Sequence, residues 1–416
     1  MPSRTLEDTC VTPQWTKLRL LAAASGVSAF GSFLNMVVLG LFALEVTGSA
    51  LMTGLFMALR LGSGFLAGPL AGALAARLPR RSLMMTCDLV SATGLVAVAL
   101  APTEWGGPLL YVLAVLLGAG PTVWNVSARS AVPDLVGQEN RVRANGIMVT
   151  ARSVATLLGF AASGLVLLWW DSRAAFAIDA VTFLLSALLV SRVALGRVGA
   201  GDGGAPAATT PWGSTRTAAA LLVAAPVLAW MVSVRTLDAF GSAAHNVGLP
   251  VYANLIAPDN PAAFASVFTA AWAVGTLGAA RIPGRFVRDA AARRPEPLFA
   301  VGTCVMSVFF VLSFTGLPTA LLIPVAVAAG LADGVTEIAY TSRLQAVDAA
   351  HRTHLLGFAA MTQYAGMGLG SVLAAAAMEA LHPFPVIATA HIVPFAASVV
   401  FLVLIARRAR SARVIR

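Results

Sequence analysis

Apolar residues run in long stretches separated by short polar turns, near residues 18–44, 50–75, 82–101, 108–128, 143–169 and 173–194, and again near 226–252, 262–282, 297–316, 319–342, 355–380 and 384–406. Each stretch is long enough to cross the roughly 30 Å of bilayer hydrocarbon as a helix. Helix is required because a segment in lipid must satisfy its own backbone N–H and C=O groups. The pattern predicts an all-α membrane protein of twelve transmembrane helices, in two sets of six. Between the sets, residues 195–216 (LGRVGAGDGGAPAATTPWGSTR) are rich in Gly, Ala, Thr and Pro and read as a flexible linker. Residues 217–225 either begin span seven or lie along the membrane surface as far as Pro226. The expected organisation is a cytoplasmic tail over 1–17, a six-helix bundle over 18–194, a cytoplasmic linker over 195–216, a second bundle over 217–406 and a basic tail over 407–416.

The sets look like two copies of one unit. With an offset of 214, Gly120 falls on Gly334, Arg129 on Arg343 and Asp134 on Asp348, each pair at or just after the end of an apolar segment. Repeats of this kind build many transporters, whose substrate sites lie between the repeats near the bilayer midplane.

Composition supports a membrane protein: 58% of the 416 residues are hydrophobic, 11% are charged and the mean hydropathy is +0.83. A net charge of +10 does not point to nucleic acid, because the basic residues are scattered through short turns rather than gathered on one soluble domain. Except for Arg60, Arg152, Arg173 and Arg235, all 28 Lys and Arg lie in the tails or near the turns after even-numbered spans. The positive-inside rule then predicts a multi-pass protein of the plasma (inner) membrane with both termini cytoplasmic. Span one is too long for a cleaved signal core and is expected to stay in the mature protein. Cys10, Cys87 and Cys304 are odd in number and far apart, and support neither a disulfide framework nor a zinc site.

Twelve spans with a long central linker and basic turns after spans two and eight resemble the major facilitator superfamily over nearly the whole chain. The family's turn after span two appears as Gly72, Ala73, Leu74, Ala75, Ala76, Arg77, Leu78, Pro79, Arg80, Arg81. Gly72, Arg77, Arg80 and Arg81 are the positions that the resemblance assigns to the conformational switch. Ala76 stands where the family has aspartate, so the charge relay is absent or borrowed, with Asp88 and Asp134 as donors to consider. A weaker copy after span eight runs Gly278, Ala279, Ala280, Arg281, Ile282, Pro283, Gly284, Arg285. The stretch ARSAVPDLVGQENRVRANGIM looks like the branch that holds enterobactin-type siderophore exporters and macrolide efflux proteins. Span five keeps Gly146, Gly159 and Gly164 of the antiport pattern but has Ala155, Phe160 and Ser163 in place of Gly, Pro and Gly. The arginine often found in span four is Ala114 here.

Charge inside a span costs roughly 2.5–3.5 kcal/mol on insertion scales, so it normally faces a cavity or a partner. Span one carries Ser25, Ser28, Ser32 and Asn35 on one stripe, and span seven carries Arg235, Asp238, Ser242 and His245. Span four holds Thr122, Trp124 and Asn125, and span ten holds Asp333, Glu337 and Tyr340. The resemblance implies that these four spans line the central cavity; Trp124, Phe240, Trp272 and Tyr340 are available as aromatic lining for an amphipathic cargo. Asp333 and Glu337, one turn apart, are the candidates for proton coupling, Glu337 first. The further intramembrane charges are Arg60, Asp88, Arg152 and Asp179. Arg60 and Arg152 either pair with a neighbouring carboxylate or hold an anionic part of a substrate; Arg235 and Asp238 either neutralise each other or serve the site.

No metal site is expected, since His351 and His354 lack a third ligand. The chain lacks a phosphate-binding glycine loop, which argues against ATP as energy source. It also lacks a nucleophile with its base near a membrane face, so an enzyme is not expected and no cofactor is called for. The expected protein is a secondary active transporter, monomeric in the lipid bilayer, exporting a small amphipathic molecule such as an antibiotic, a siderophore or another secondary metabolite against protons. The alternatives are an importer or facilitator of a nutrient or lipid-like solute, and a scaffold or receptor without transport.

Overall fold

The computed structural model describes residues 13–47, 50–195, 210–258, 261–279 and 295–414. These form thirteen helices and no strand. Spans one to six are α1 (Trp15–Thr47), α2 (Ala50–Arg77), α3 (Arg80–Leu100), α4 (Thr103–Val136), α5 (Arg141–Trp169) and α6 (Ser172–Ser191). After a short α7 (Pro211–Ala224), spans seven to twelve are α8 (Pro226–Ile256), α9 (Pro261–Ala279), α10 (Pro295–Ser313), α11 (Thr319–Gln345), α12 (Ala349–Met378) and α13 (Pro383–Val414). Eight of these helices are individually long and apolar enough to cross a membrane. Several begin on proline, whose fixed φ suits the first helical position and whose missing N–H is not needed there.

Three local expectations change. Residues 211–216, read as linker, open α7: the Thr210 side chain accepts from the Gly213 N–H at 3.0 Å and Pro211 starts the first turn. The bend between α7 and α8 is 116°, so 211–224 is a separate helix and span seven begins at Pro226. Span four does not stop near 128 but runs to Val136 through Pro133, ending where Gly137 turns to φ 80°. The basic tail is not separate either, because α13 continues to Val414. The residues 280–285 of the second turn motif, most of the 1–17 tail, linker residues 196–209, Cys10 and Arg416 lie outside the described residues.

Within spans one to six, α1 packs on α5 and α6, α2 on α4, and α3 on α4 and α6; within spans seven to twelve, α8 packs on α12 and α13, α9 on α11, and α10 on α11 and α13. The two pairings are the same set shifted by six spans, as the offset repeat requires. Between the halves, α2 lies along α12 and α5 meets α9 and α11. At the α2–α12 crossing a Cβ on Gly68 would stand 2.6 Å from the Gly357 carbonyl oxygen. Only hydrogen fits there, and the two backbones touch, as small residues allow in membrane helix packing.

The halves are not joined evenly along their length. At the end that carries Arg77, Arg80 and Arg81, hereafter the basic end, residues from both halves share one buried cluster that includes Ala71, Leu83, Val126, Leu344, Leu355 and Phe401. Toward the far end each half keeps its own cluster, one around Leu34, Leu95, Leu113 and Phe176, the other around Phe268, Phe310, Phe314 and Leu322. The molecule is closed at its basic end.

Candidate functional site

At the contact between the halves, α8 and α11 bring together a charged cluster. Arg235 donates to Asp238 at 2.7 Å and to Glu337 at 2.8 Å, and stands 3.7 Å from Asp333. Its guanidinium lies 5.9 Å from the centre of the Tyr340 ring. Arg129 reaches across from α4 to bind Glu337 at 2.7 Å, and also donates to Thr341 at 3.1 Å. Thr341 in turn donates to Glu337 at 3.1 Å. Glu337 is therefore held by an arginine from each half. Asp333 has Arg235 at the longer distance, with the Trp272 indole beside it.

The helical spacing explains the convergence. Arg235 and Asp238 are three apart on α8, and Asp333, Glu337 and Thr341 step by four on α11, so each set shares a face. Arg129 continues the face of Thr122 and Asn125 once α4 is allowed its last two turns. That is the signal by which Arg129 was open to discovery: ending span four at 128 cut it off.

Other expected site residues go elsewhere. Asn35 does not line the cavity: it is 1% exposed and donates to Asp179 at 2.8 Å, joining α1 to α6, where Thr182 also donates to Asp179. Trp124 is buried too, and its indole N–H donates to Asp88 at 3.2 Å, with Ser186 donating to the same oxygen at 2.7 Å. Asp88 and Asp179 thus tie helices of one half together. His245 is buried against His391, ring nitrogens 3.1 Å apart, and stacks on Phe310. These groups leave the cavity because their stripes wrap from the space between halves into the packed seams beside it. Ser28, Ser32, Ser242 and Asn125 stay half-buried, Asn125 donating to the Pro121 carbonyl. Arg60 is half-buried and Arg152 exposed, and neither is in an ion pair among the described residues.

At the basic end a second polar network spans the halves. Arg80, the first residue of α3, pairs with Asp134, and Arg352 from α12 binds the other oxygen of Asp134 at 2.9 Å. Of the two carboxylates considered in place of Ala76, Asp134 is the one paired with these arginines, while Asp88 accepts from Trp124 and Ser186. Arg352 also donates to the Ser130 carbonyl, Gln345 to the Arg129 carbonyl, Arg141 to the Ser342 carbonyl and Gln138 to the Gln345 carbonyl. Asn145 donates to Ser342 and to Gln345 at 2.9 and 2.7 Å. Arg77 and Arg81 are exposed beside this network, while Gly72 lets α2 approach Thr353 and Ser214. Sequence reading missed Asn145, Ser342, Gln345 and Arg352, since uncharged amides and a turn arginine carry no mark of long-range pairing. His351 and His354 do not face each other over a shared ligand: His351 bonds to Asp348 and His354 to Ser214. Among the described residues no group of three or more His, Cys, Asp or Glu is placed to hold a metal.

The model of the Major Facilitator Superfamily matches residues 21–371. A stretch of 129 residues is 30% identical to the protein named bacilysin exporter BacE of Bacillus subtilis (strain 168), covering 30% of this chain and 32% of that one. The counterpart in Bacillus amyloliquefaciens is 29% identical over 127 residues, again 32% of its length. The match thus spans about a third of these relatives. In fold, the chain is similar to the transporter FucP in its outward conformation, with TM-score 0.74 and 15% identity over 93% of this chain and 98% of that one. The human organic anion transporter MFSD10 superposes with TM-score 0.68 and 15% identity, over 93% and 99%.

Proposed function

The chain belongs to the Major Facilitator Superfamily, and we propose that it is a proton-coupled exporter of a small amphipathic organic molecule, working by alternating access. The observation that carries this reading is the Arg129–Glu337–Arg235 bridge. It puts an ionisable group on the contact between the halves. Ionised, Glu337 holds Arg129 of α4 against α11 and helps keep the basic end shut. A proton on Glu337 would cost both ion pairs and free Arg129, so protonation and opening of the basic end are one event. Asp333, with its single long contact to Arg235, serves as the neighbouring station.

The basic end is assigned to the cytoplasm by its arginines, so the described state faces outward. The cycle follows: cargo leaves to the outside, a proton enters at Glu337, the basic end opens, the proton is released inward and cargo binds anew. Export, rather than import, is favoured by the similarity to bacilysin exporters over part of the chain. Trp272, beside Asp333, offers aromatic surface next to the charged groups, which suits an amphipathic cargo; Phe240, expected as cavity lining, packs instead among Ala244, Ala374 and Ala390 of the second half.

The test is uptake of a panel of amphipathic antibiotics and siderophores into inverted membrane vesicles, with and without an imposed proton gradient. Wild type is expected to accumulate at least one compound when energised. Glu337→Gln is expected to lower the rate by about tenfold or more and to flatten its pH dependence. Full, pH-dependent transport by the variant would remove Glu337 from coupling, and gradient-independent equilibration would make the protein a facilitator.

A further inference from the structure

Two guanidiniums inside the membrane lack a carboxylate within ion-pair distance among the described residues, those of Arg60 on α2 and Arg152 on α5. Asp179 lies within electrostatic reach of Arg60 but is already engaged by Asn35 and Thr182. Arg152 lies within electrostatic reach of Glu337 and Asp333, but Glu337 is occupied by Arg129 and Arg235. Tyr364 on α12 lies within electrostatic reach of both arginines. Tyr364 packs against α2 at Gly64, where an added Cβ would stand 2.8 Å from its ring. Arg152 is exposed although its charged neighbours, Arg129, Glu337 and Asp333, lie between the halves. Its guanidinium lies 5.7 Å over the Phe33 ring, which packs on Phe160 at 5.4 Å.

An arginine held in the membrane without a counter-charge is costly, and one stacked on an aromatic face remains free to present its fork to a planar anion. Resting on the proposed function above, we infer that the cargo carries a carboxylate, received by Arg152 and Arg60 with the Tyr364 hydroxyl as third donor. Phe33 and Phe160 take the apolar body next to it. Bidentate contact from guanidinium to carboxylate supplies both strength and orientation. The anion site belongs chiefly to the first half and the proton site to the second, so cargo and proton do not compete for one group. Closure over the cargo brings Tyr364 of the second half onto an anion held by the first.

The experiment uses the full chain in nanodiscs of neutral phosphatidylcholine, which contain no competing anionic headgroup. Two fluorescent probes, dansyl-phenylalanine and dansyl-phenylalaninamide, differ only in carboxylate against neutral amide. The acid is expected to bind about tenfold more tightly than the amide, and Arg152→Gln to abolish that preference. Arg152→Lys should keep part of it, and Tyr364→Phe should reduce it with an unchanged melting temperature. Equal binding of acid and amide, including binding of neither, overturns the inference, as does an acid preference that survives in a folded Arg152→Gln. Energised vesicles separate the two readings. If the amide accumulates as well as the acid, the anion site fails and the exporter stands. If the acid binds through Arg152 and is never moved, the exporter fails and the site stands.

Discussion

Asp333 and Glu337 stand one helical turn apart on α11 yet keep different company, and the difference lies in chain segments far from both. Glu337 has an arginine from each half, and Asp333 has the far side of Arg235. From sequence, two carboxylates at this spacing mark a site where charge is expensive, and the residues were legible to that extent. Which carboxylate touches the other half was not, because it depends on Arg129, more than 200 positions away. Asn35 shows the opposite error. Its spacing put it with Ser28 and Ser32, but a stripe about one helix face wide has an edge, and Asn35 lies on the edge turned toward α6 and Asp179. Asn35→Ala is therefore expected to act on stability and not on cargo. It leaves the buried Asp179 one donor short, a loss of about 1–3 kcal/mol. A lowered melting temperature in detergent with unchanged probe binding would match this; altered binding with unchanged melting would return Asn35 to the cavity.

At the scale of helices, the apolar runs gave twelve elements with ends correct to a few residues, except at both ends of α4, at the start of α12 and at the end of α13. Pro133 is a usual stop signal, yet it does not end span four. In the fold it is buried within α4, and the helix continues to a glycine with φ 80°. The start of α7 carried its own signals, Thr210 as cap and Pro211 after it, but they were hidden in a stretch whose composition suggested a linker. Helix contacts are less legible still, because a glycine that marks a crossing looks like one that marks a turn. The pair Gly68 and Gly357 is such a crossing, and α2 and α12 cannot come together as they do with a side chain at either position. Gly68→Val is expected to force the helices apart at a cost of about 1–3 kcal/mol and to favour the state open at the basic end. Alkylation of a cysteine placed at Asn145 should then quicken relative to the same cysteine on the wild-type background. Unchanged labelling would mean that the crossing does not bear on the opening.

For the whole molecule, the offset repeat foretold the two-fold similarity of the halves, and the fold displays it in matching helix contacts. What the repeat could not foretell is where the symmetry is broken. The halves share a buried cluster and a polar network at one end and part toward the other, and a choice between two such states is a balance of contacts that no local pattern records. The network centred on Asp134, between Arg80 and Arg352, is one side of that balance. Asp134 is half-exposed, so Asp134→Asn should weaken closure modestly, by about 1 kcal/mol. That is a roughly fivefold shift of population toward the state open at the basic end. Distance distributions between spin labels on α4 and α12 near that end should broaden to longer values. A distribution identical to wild type would place the weight of closure on the apolar cluster.

Four of the bonds that close the basic end terminate on main-chain carbonyls, those of Arg129, Ser130, Ser342 and Gln345. A carbonyl cannot be mutated away, so inheritance can alter only the donor side of this closure. Related chains are then free to exchange arginine, glutamine and asparagine among the donor positions without redrawing the acceptors. Divergence in such a family would tune how readily the gate opens, while leaving in place the backbone geometry on which it shuts.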